Sequence, residues 1–543
     1  MSNIIKFFPK GYKPREMQIE ILDKIQEAIK QGNKFIVISS PTGTGKSLFA
    51  ASLANMSPNP SKKFVKLVDD QLIFKKNATG DFIYSQDALN EPSFGAITLT
   101  ISKALQDQYD KLFDNSALLK GKKNYQCNVD ERFDTEAAPC MLSSKLLKEC
   151  KENRRCEYLN ARDYVIKSKF GVLNYSMFLS LPDHVKKRSI IVCDEASELE
   201  DKLVNYFSVT INYDKLDDII PKNKKLISES SATAQLWLTD LAMQLEEFIH
   251  TYMNKLTSKK IKQPSFRELT RYKNLKNLHE KIIQVLKNWN ECEYVIEKNN
   301  EQATFVPLYV NILSDSIFKF ADTVILMSAT IIDHKTFTKT LGIKDYKYIE
   351  VDSTFDPKKS PVYCAGKYNL NYKNININLP KVVNQALMIC NHYKGKNGII
   401  HTHNFKITKG IQARVRNNKR FLFREGAITN EHILEEHFIR EDGTVLVSPS
   451  LNFGTDLPAK HGEFQIIMKL PFLPLGSKRV KMLFDKDKQW YQMKMLVNLL
   501  QMSGRIIRSG SDSGETFILD GQAFSILKRE YKKLPKHFRD RLQ

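Results

Sequence analysis

The sequence predicts an α/β protein built on two parallel sheets, the first interrupted by two insertions. Short β-branched runs carry this reading: Lys34–Ser39 (KFIVIS), Ser189–Cys193 (SIIVC) and Thr323–Met327 (TVILM) each end in polar loop residues. That is the pattern of parallel strands buried on both faces. It returns near the C-terminus in GIIHTHN from Gly398, GTVLVSPS from Gly443 and QIIMKLPF from Gln465, which calls for a second sheet. Spacing supplies the insertions. Lys46 and Asp194 stand 148 positions apart, and Glu195 and Ser328 stand 133 apart. One βα crossover needs far less chain.

Taken in order, the first strand is bounded by Gly32-Asn33 and by a Pro-Thr-Gly-Thr-Gly loop, after which KSLFAASLANM reads as a helix. Ligands of such sheets sit beyond the carboxyl ends of the strands, where these polar residues lie. Residues 1–110, 170–204 and 320–347 are expected to share the first sheet domain, and 348–543 to form the second. The insertion at 111–169 holds Cys127, Cys140, Cys150 and Cys156. The insertion at 205–319 reads as mainly helical, with Leu236–Leu256 (LWLTDLAMQLEEFIHTYMNKL) as its clearest amphipathic stretch. Its residues 251–290 carry ten Lys or Arg against two Glu, which suits either a solvated helix face or a nucleic-acid contact. Lys62–Gln86 alternates like a hairpin around Asn77-Ala78-Thr79-Gly80, with no evident role.

Composition narrows the function classes. The 543 residues are 42% hydrophobic and 10% aromatic, an ordinary globular composition. Absence of an 18-residue apolar run argues against a membrane span. Lys6, Lys10 and Lys13 break any signal-peptide core, so a cytoplasmic location is expected. A surplus of +22 charges suits a polyanion, because basic surface gains binding free energy by releasing condensed counterions. Eight cysteines in a chain this long do not form a secreted disulfide framework.

The chemistry concentrates in four places. SPTGTGKS, Ser40–Ser47, is a phosphate-binding loop of Walker A type in which Ser40 replaces the first glycine. Gly43 and Gly45 let backbone N–H groups face phosphate oxygens, Lys46 reaches the β/γ-phosphates, and the Ser47 hydroxyl can ligate Mg²⁺. Asp194-Glu195 supplies the matching carboxylates: Asp194 for the Mg²⁺ shell, Glu195 to orient or deprotonate the attacking water. QMSGRIIR, Gln501–Arg508, is expected to place Gln501, Arg505 and Arg508 at the start of a helix. There its arginines would share a face and neutralise charge on a γ-phosphate. The four clustered cysteines run C-x12-C-x9-C-x5-C without a CxxC pair. This spacing is unfavourable for a zinc knuckle; by itself it leaves an iron–sulfur cluster, zinc and buried free thiols open.

These motifs, in this order, resemble the superfamily 2 DNA helicases of the DinG/XPD type. Arg15-x-x-Gln18 is similar to the family's adenine contact and Thr42, Gly43, Thr44, Gly45, Lys46 and Ser47 to its motif I. Thr98–Tyr109 (TLTISKALQDQY) resembles motif Ia, Asp194-Glu195-Ala196-Ser197 motif II, and Ser328-Ala329-Thr330 motif III. Asn452–Pro458 (NFGTDLP), with Gly454 and Asp456, resembles motif V, and Gln501–Arg508 motif VI. GKKNYQC, ending at Cys127, is similar to the run into the family's first cluster cysteine, and Gly171–Leu179 (GVLNYSMFL) to the segment after its last.

The resemblance implies two RecA-like motor domains, the first carrying an iron–sulfur insertion and an arch-like helical insertion. It implies ATP, Mg²⁺ and a [4Fe–4S] cluster on Cys127, Cys140, Cys150 and Cys156. It also implies 5′ to 3′ movement on single-stranded and forked DNA, by a chain expected to act as a monomer. Two alternatives stand beside this: a translocase that unwinds little, and a binding module with a decayed ATPase. Ser197 replaces the family's usual motif II histidine, and His401-Thr402-His403 is an atypical motif IV best read as loop residues near DNA backbone.

Overall fold

The computed structural model describes residues 4–62, 64–65, 93–219, 225–258, 264–353, 355–423, 430–440, 442–449, 457, 459–506 and 512–543. The chain divides into two compact units. One comprises Met1–Val37, Ser47–Met327 and Thr338–Lys347, the other Ile38–Lys46, Ser328–Phe337 and Tyr348–Gln543.

Three of the apolar runs became neighbouring strands of one sheet. Its early strands are β1 (Phe35–Ser39), β2 (Ala96–Thr100), β3 (Ala117–Leu119), β4 (Phe170–Asn174) and β5 (Arg188–Asp194). Three strands outside it follow: β6 (Val209–Asn212), β7 (Tyr294–Lys298) and β8 (Gln302–Pro307). The chain then returns as β9 (Ala321–Ser328) and β10 (Lys347–Glu350). Among the described residues the sheet has seven strands in the order β10-β1-β9-β5-β2-β4-β3. The β2–β4, β2–β5, β3–β4 and β5–β9 pairs are parallel. β1 and β9 show why β-branched runs were needed: Ile36, Val37, Ile38, Val324, Ile325 and Leu326 are fully buried.

The second sheet contains β11 (Val362–Tyr368), β12 (Gly398–His401), β13 (Phe421–Phe423), β14 (Val445–Ser448), β15 (Phe464–Ile467) and β16 (Glu515–Asp520). Its order is β11-β16-β15-β12-β14-β13, with every pair parallel. Gly398 is required by packing, since a Cβ there would strike the Phe464 ring.

The 205–319 insertion contains the expected helices, Ser231–Thr257 and Phe266–Lys287. The second starts in a capping box, with the Ser265 backbone N–H donating to Glu268 Oε2 at 2.9 Å. A finding beyond that expectation is an antiparallel sheet in the order β6-β8-β7. Helices and sheet share one core: Leu238, Leu241 and Leu245 from the first helix, Ile282 and Val285 from the second, Ile211, Ile296 and Phe305 from the strands. The alternation of QATFVP is a period-2 signal, the mark of a strand buried on one face. Most of the hairpin reading at Lys62–Gln86 lies outside the described residues. No helix among the described residues is long and apolar enough to cross a membrane.

Candidate functional site

β1 delivers the phosphate loop at its carboxyl end, and the helix Lys46–Met56 begins on the loop's lysine. Gly43 and Gly45 both take positive φ, 76° and 93°. Only glycine visits that region without strain. A Cβ on Gly43 would also strike the Phe355 ring. Ser40 meets Thr44 hydroxyl to hydroxyl at 2.6 Å, and Thr44 donates to the Pro41 carbonyl at 2.8 Å. The residue that departs from the usual first glycine therefore closes the loop from inside. The Ser40 backbone N–H donates to the Ser328 carbonyl at 2.9 Å, so motif I is tied to motif III.

Asp194 ends β5 and is buried. Its Oδ1 accepts the Glu195 backbone N–H at 3.0 Å, and its Oδ2 accepts the Tyr109 hydroxyl at 3.0 Å. Its carbonyl accepts the Tyr175 hydroxyl at 3.0 Å. Glu195 adopts φ 49°. For a non-glycine residue this left-handed turn costs of order 1–3 kcal/mol, a strain typical of functional sites. Tyr109 and Tyr175 lie inside segments already singled out by motif, which assign them no role; only contact geometry reveals their hydroxyls.

At the other segments the outcome is mixed. Arg15 caps the helix Glu16–Lys30 and its N–H donates to Gln18 Oε1 at 3.0 Å; Gln18 is buried. The expectation that motif VI opens a helix is corrected. The helix runs Lys488–Ser503, Gln501 lies in its last turn, and Arg505 follows in the turn after Gly504. The apolar stretch Trp490–Leu500 makes the helix, and Gly504 closes it by donating its N–H to the Leu500 carbonyl. That end is pinned from two sides: Ser503's carbonyl accepts Gln465 Nε2 at 2.9 Å and Arg541 Nη2 at 3.2 Å. Arg508, Gly454 and Asp456 lie outside the described residues.

His401 is the last residue of β12 and is fully buried; burial, then the Arg505 charge, lower its pKa to about 3. His403 hydrogen-bonds the Phe472 carbonyl at 3.0 Å. The C-terminal helix Lys536–Arg539 brings His537 within the field of Lys46: burial, then Arg541 and Lys46, lower it to about 3. No motif pointed to this residue.

The four clustered cysteines share one neighbourhood. Burial, then the thiols of Cys150, Cys156 and Cys127, raise Cys140 to about 11. Cys127 packs with Phe133, Ala138 and Leu269, the last from the Phe266–Lys287 helix. Tyr125 and Tyr158 meet edge-on at 5.6 Å between ring centroids. Among the described residues no three His, Cys, Asp or Glu side chains form a group that could hold a metal ion.

Two family models match the sequence: type III restriction enzyme, res subunit, over residues 11–236, and helicase C-terminal domain over residues 387–541. No curated protein is matched. An XPD helicase structure is similar over 96% of this chain and 98% of its own, at 16% identity and TM-score 0.59. Xpd4 from S. tokodaii is similar over 95% and 97%, at 14% identity and TM-score 0.57. The paired models each match a part of the chain, and with the phosphate loop and the twin parallel sheets they make it similar to the helicases. In fold it resembles the XPD helicases, with two RecA-like domains.

Proposed function

We propose that the chain is an ATP-driven motor that moves on single-stranded DNA, 5′ to 3′, and unwinds forked duplexes. The observation that carries the reading is the buried Asp194 carboxylate at the end of β5, held at both oxygens by Tyr109 and the Glu195 N–H, with Glu195 beside it. It supports an intact hydrolytic site and counts against the decayed module.

In this reading Gly43 and Gly45 present backbone N–H groups to the phosphates and Lys46 neutralises the β/γ-oxygens. Ser47 and Asp194 hold Mg²⁺, which supplies charge neutralisation when bound. Glu195 orients the attacking water. Arg505 and Arg508 stabilise charge on the γ-phosphate, Arg15 and Gln18 take the adenine, and Gly454 and Asp456 link hydrolysis to DNA. The residue ranges given for the two motor domains and the two insertions belong to this proposal, as does action as a monomer. Opening a duplex costs about 1.4 kcal/mol per stacked step, so separation must draw on repeated hydrolysis.

Cys127, Cys140, Cys150 and Cys156 are proposed to hold a [4Fe–4S] cluster. Mutual thiol interactions support a common site. The wide spacing of the four suits a cube, in which each thiolate meets its own iron. The cluster would staple an insertion too small to fold on its own core.

The test is ATP hydrolysis with and without single-stranded DNA, beside unwinding of a 5′-tailed duplex. Stimulated hydrolysis with unwinding is expected; hydrolysis without unwinding makes the chain a translocase, and no stimulation makes it a binding module. Lys46→Ala should abolish turnover and leave DNA binding intact; retained hydrolysis refutes the site.

A further inference from the structure

The connection from β10 to β11 carries an aromatic side chain that reaches the phosphate loop. Phe355, half-buried, stands on that connection with its backbone held on both sides. Its N–H donates to the Ser353 hydroxyl at 3.1 Å, and Asp356 caps the turn Pro357–Lys359 by accepting the Lys358 N–H at 3.0 Å. The ring packs on an apolar cluster that includes Ile399, Leu457 and Ile506. Its far edge meets Gly43: Cζ, Cε1 and Cε2 all crowd the place where a Cβ on that glycine would stand, Cε2 the farthest at 3.3 Å. Gly43 has φ 76° and no side chain with which to hold itself there. Glycine loses more freedom on ordering than any other residue, so a glycine loop binds tightly only when its neighbours hold it ready. The hydroxyl contact of Ser40 with Thr44 braces the loop beside Gly43, and Phe355 braces Gly43 itself. The brace continues beyond the loop, because Ile506 follows Arg505 and the Leu457 N–H donates to the Arg505 carbonyl at 3.1 Å.

We propose that Phe355 is a positioning residue for the nucleotide, its ring holding Gly43 in the phosphate-binding form of the loop and tying it to the segment that carries Arg505. The inference rests on the nucleotide-site reading above and deepens it. Without the ring edge the loop can leave that form, and apparent affinity falls with the fraction of molecules that keep it. Reach decides the effect, not apolar bulk alone. A leucine fills the cluster but stops short of Gly43. A methionine is unbranched and extends about as far as the ring.

The test uses the full chain and a fluorescent ADP analogue with Mg²⁺, titrated at equilibrium. Phe355→Leu should weaken binding about tenfold, the loss expected if the competent fraction of the loop falls to about a tenth. Phe355→Met should keep the parent affinity, and both variants should melt close to the parent. A merely structural role would lower the melting temperature and leave affinity alone. Unchanged affinity in folded Phe355→Leu overturns the proposal, as does an equal loss in Phe355→Met. Phe355→Ile is read in the same way should Phe355→Leu not fold. Gly43→Ala supplies the direct check of contact. In the parent its Cβ meets the ring and its φ is unfavourable; beside Phe355→Leu only the backbone cost remains. Its effect on affinity should be smaller in that background, and equal effects in both contradict action of Phe355 through Gly43. Lys46→Ala separates the two readings. If it leaves affinity intact, the nucleotide site itself is misassigned and this inference fails with it. If it weakens binding while Phe355→Leu does not, this inference alone falls.

Discussion

Individual side chains in this protein often answer a local demand and a distant one together. Ser40 occupies a glycine's usual place, and its hydroxyl makes that substitution useful by bonding Thr44 across the loop. His401 is the residue whose protonation the fold resists most plainly, being fully buried at the end of β12 with the Arg505 charge nearby. Its pKa falls from about 6.5 in an unfolded chain to about 3. As pH drops the unfolded chain binds this proton first, so stability is complete above about pH 6.5 and declines from there toward pH 3. His184 and His537 shift the same way, to about 4 and about 3. The urea midpoint should therefore fall between about pH 7.5 and about pH 5, and His401→Asn should flatten that fall. Equal slopes in the two proteins would show that His401 is not held neutral.

At the scale of elements, the cysteine insertion depends least on an apolar core. Around the thiols the buried cluster is small, Cys127, Phe133 and Ala138 with Leu269, and two of the thiols are only half-buried. Such an element needs a staple. Cys150, in the helix Ser144–Glu152, is the thiol to remove. Cys150→Ser should bleach the brown colour of anaerobically purified protein and lower its iron and labile sulfide. Full iron content in this variant would exclude Cys150 as a ligand. The motif VI helix shows the opposite economy: its apolar face makes the helix, and Gln465 and Arg541 pin the carbonyl at its end. Arg505 is thus offered from a turn rather than from a helix face, its backbone N–H donating to the Met502 carbonyl at 3.2 Å and its carbonyl accepting from the Leu457 N–H at 3.1 Å.

For the whole molecule the governing quantity is charge. A surplus of +22 spread over Lys and Arg favours single strands held mainly by their phosphates. The logarithm of affinity should fall with the logarithm of salt, at a slope of about −0.7 per phosphate neutralised. A flat response, measured by fluorescence anisotropy on a single-stranded oligonucleotide, would contradict phosphate-led binding. The basic 251–290 stretch is one place to look for the contact. Part of its charge is engaged in ion pairs, since Lys273 meets Glu136 at 3.2 Å and Arg271 meets Asp218 at 2.7 Å.

The primary structure alone determined the two sheets, the phosphate loop with its strand and helix, and the acidic pair at the end of β5. Each is local: a β-branched run, a glycine pattern or an adjacent pair can be read within a dozen residues. Tertiary structure alone decided where motif VI stands relative to its helix and that β6, β7 and β8 accompany the arch helices. It also decided that Tyr109 and Tyr175 turn their hydroxyls to Asp194. Those outcomes depend on residues far apart in the chain meeting in space. A tyrosine's sequence neighbours announce its apolar ring, but only its distant neighbours decide what its single proton bonds.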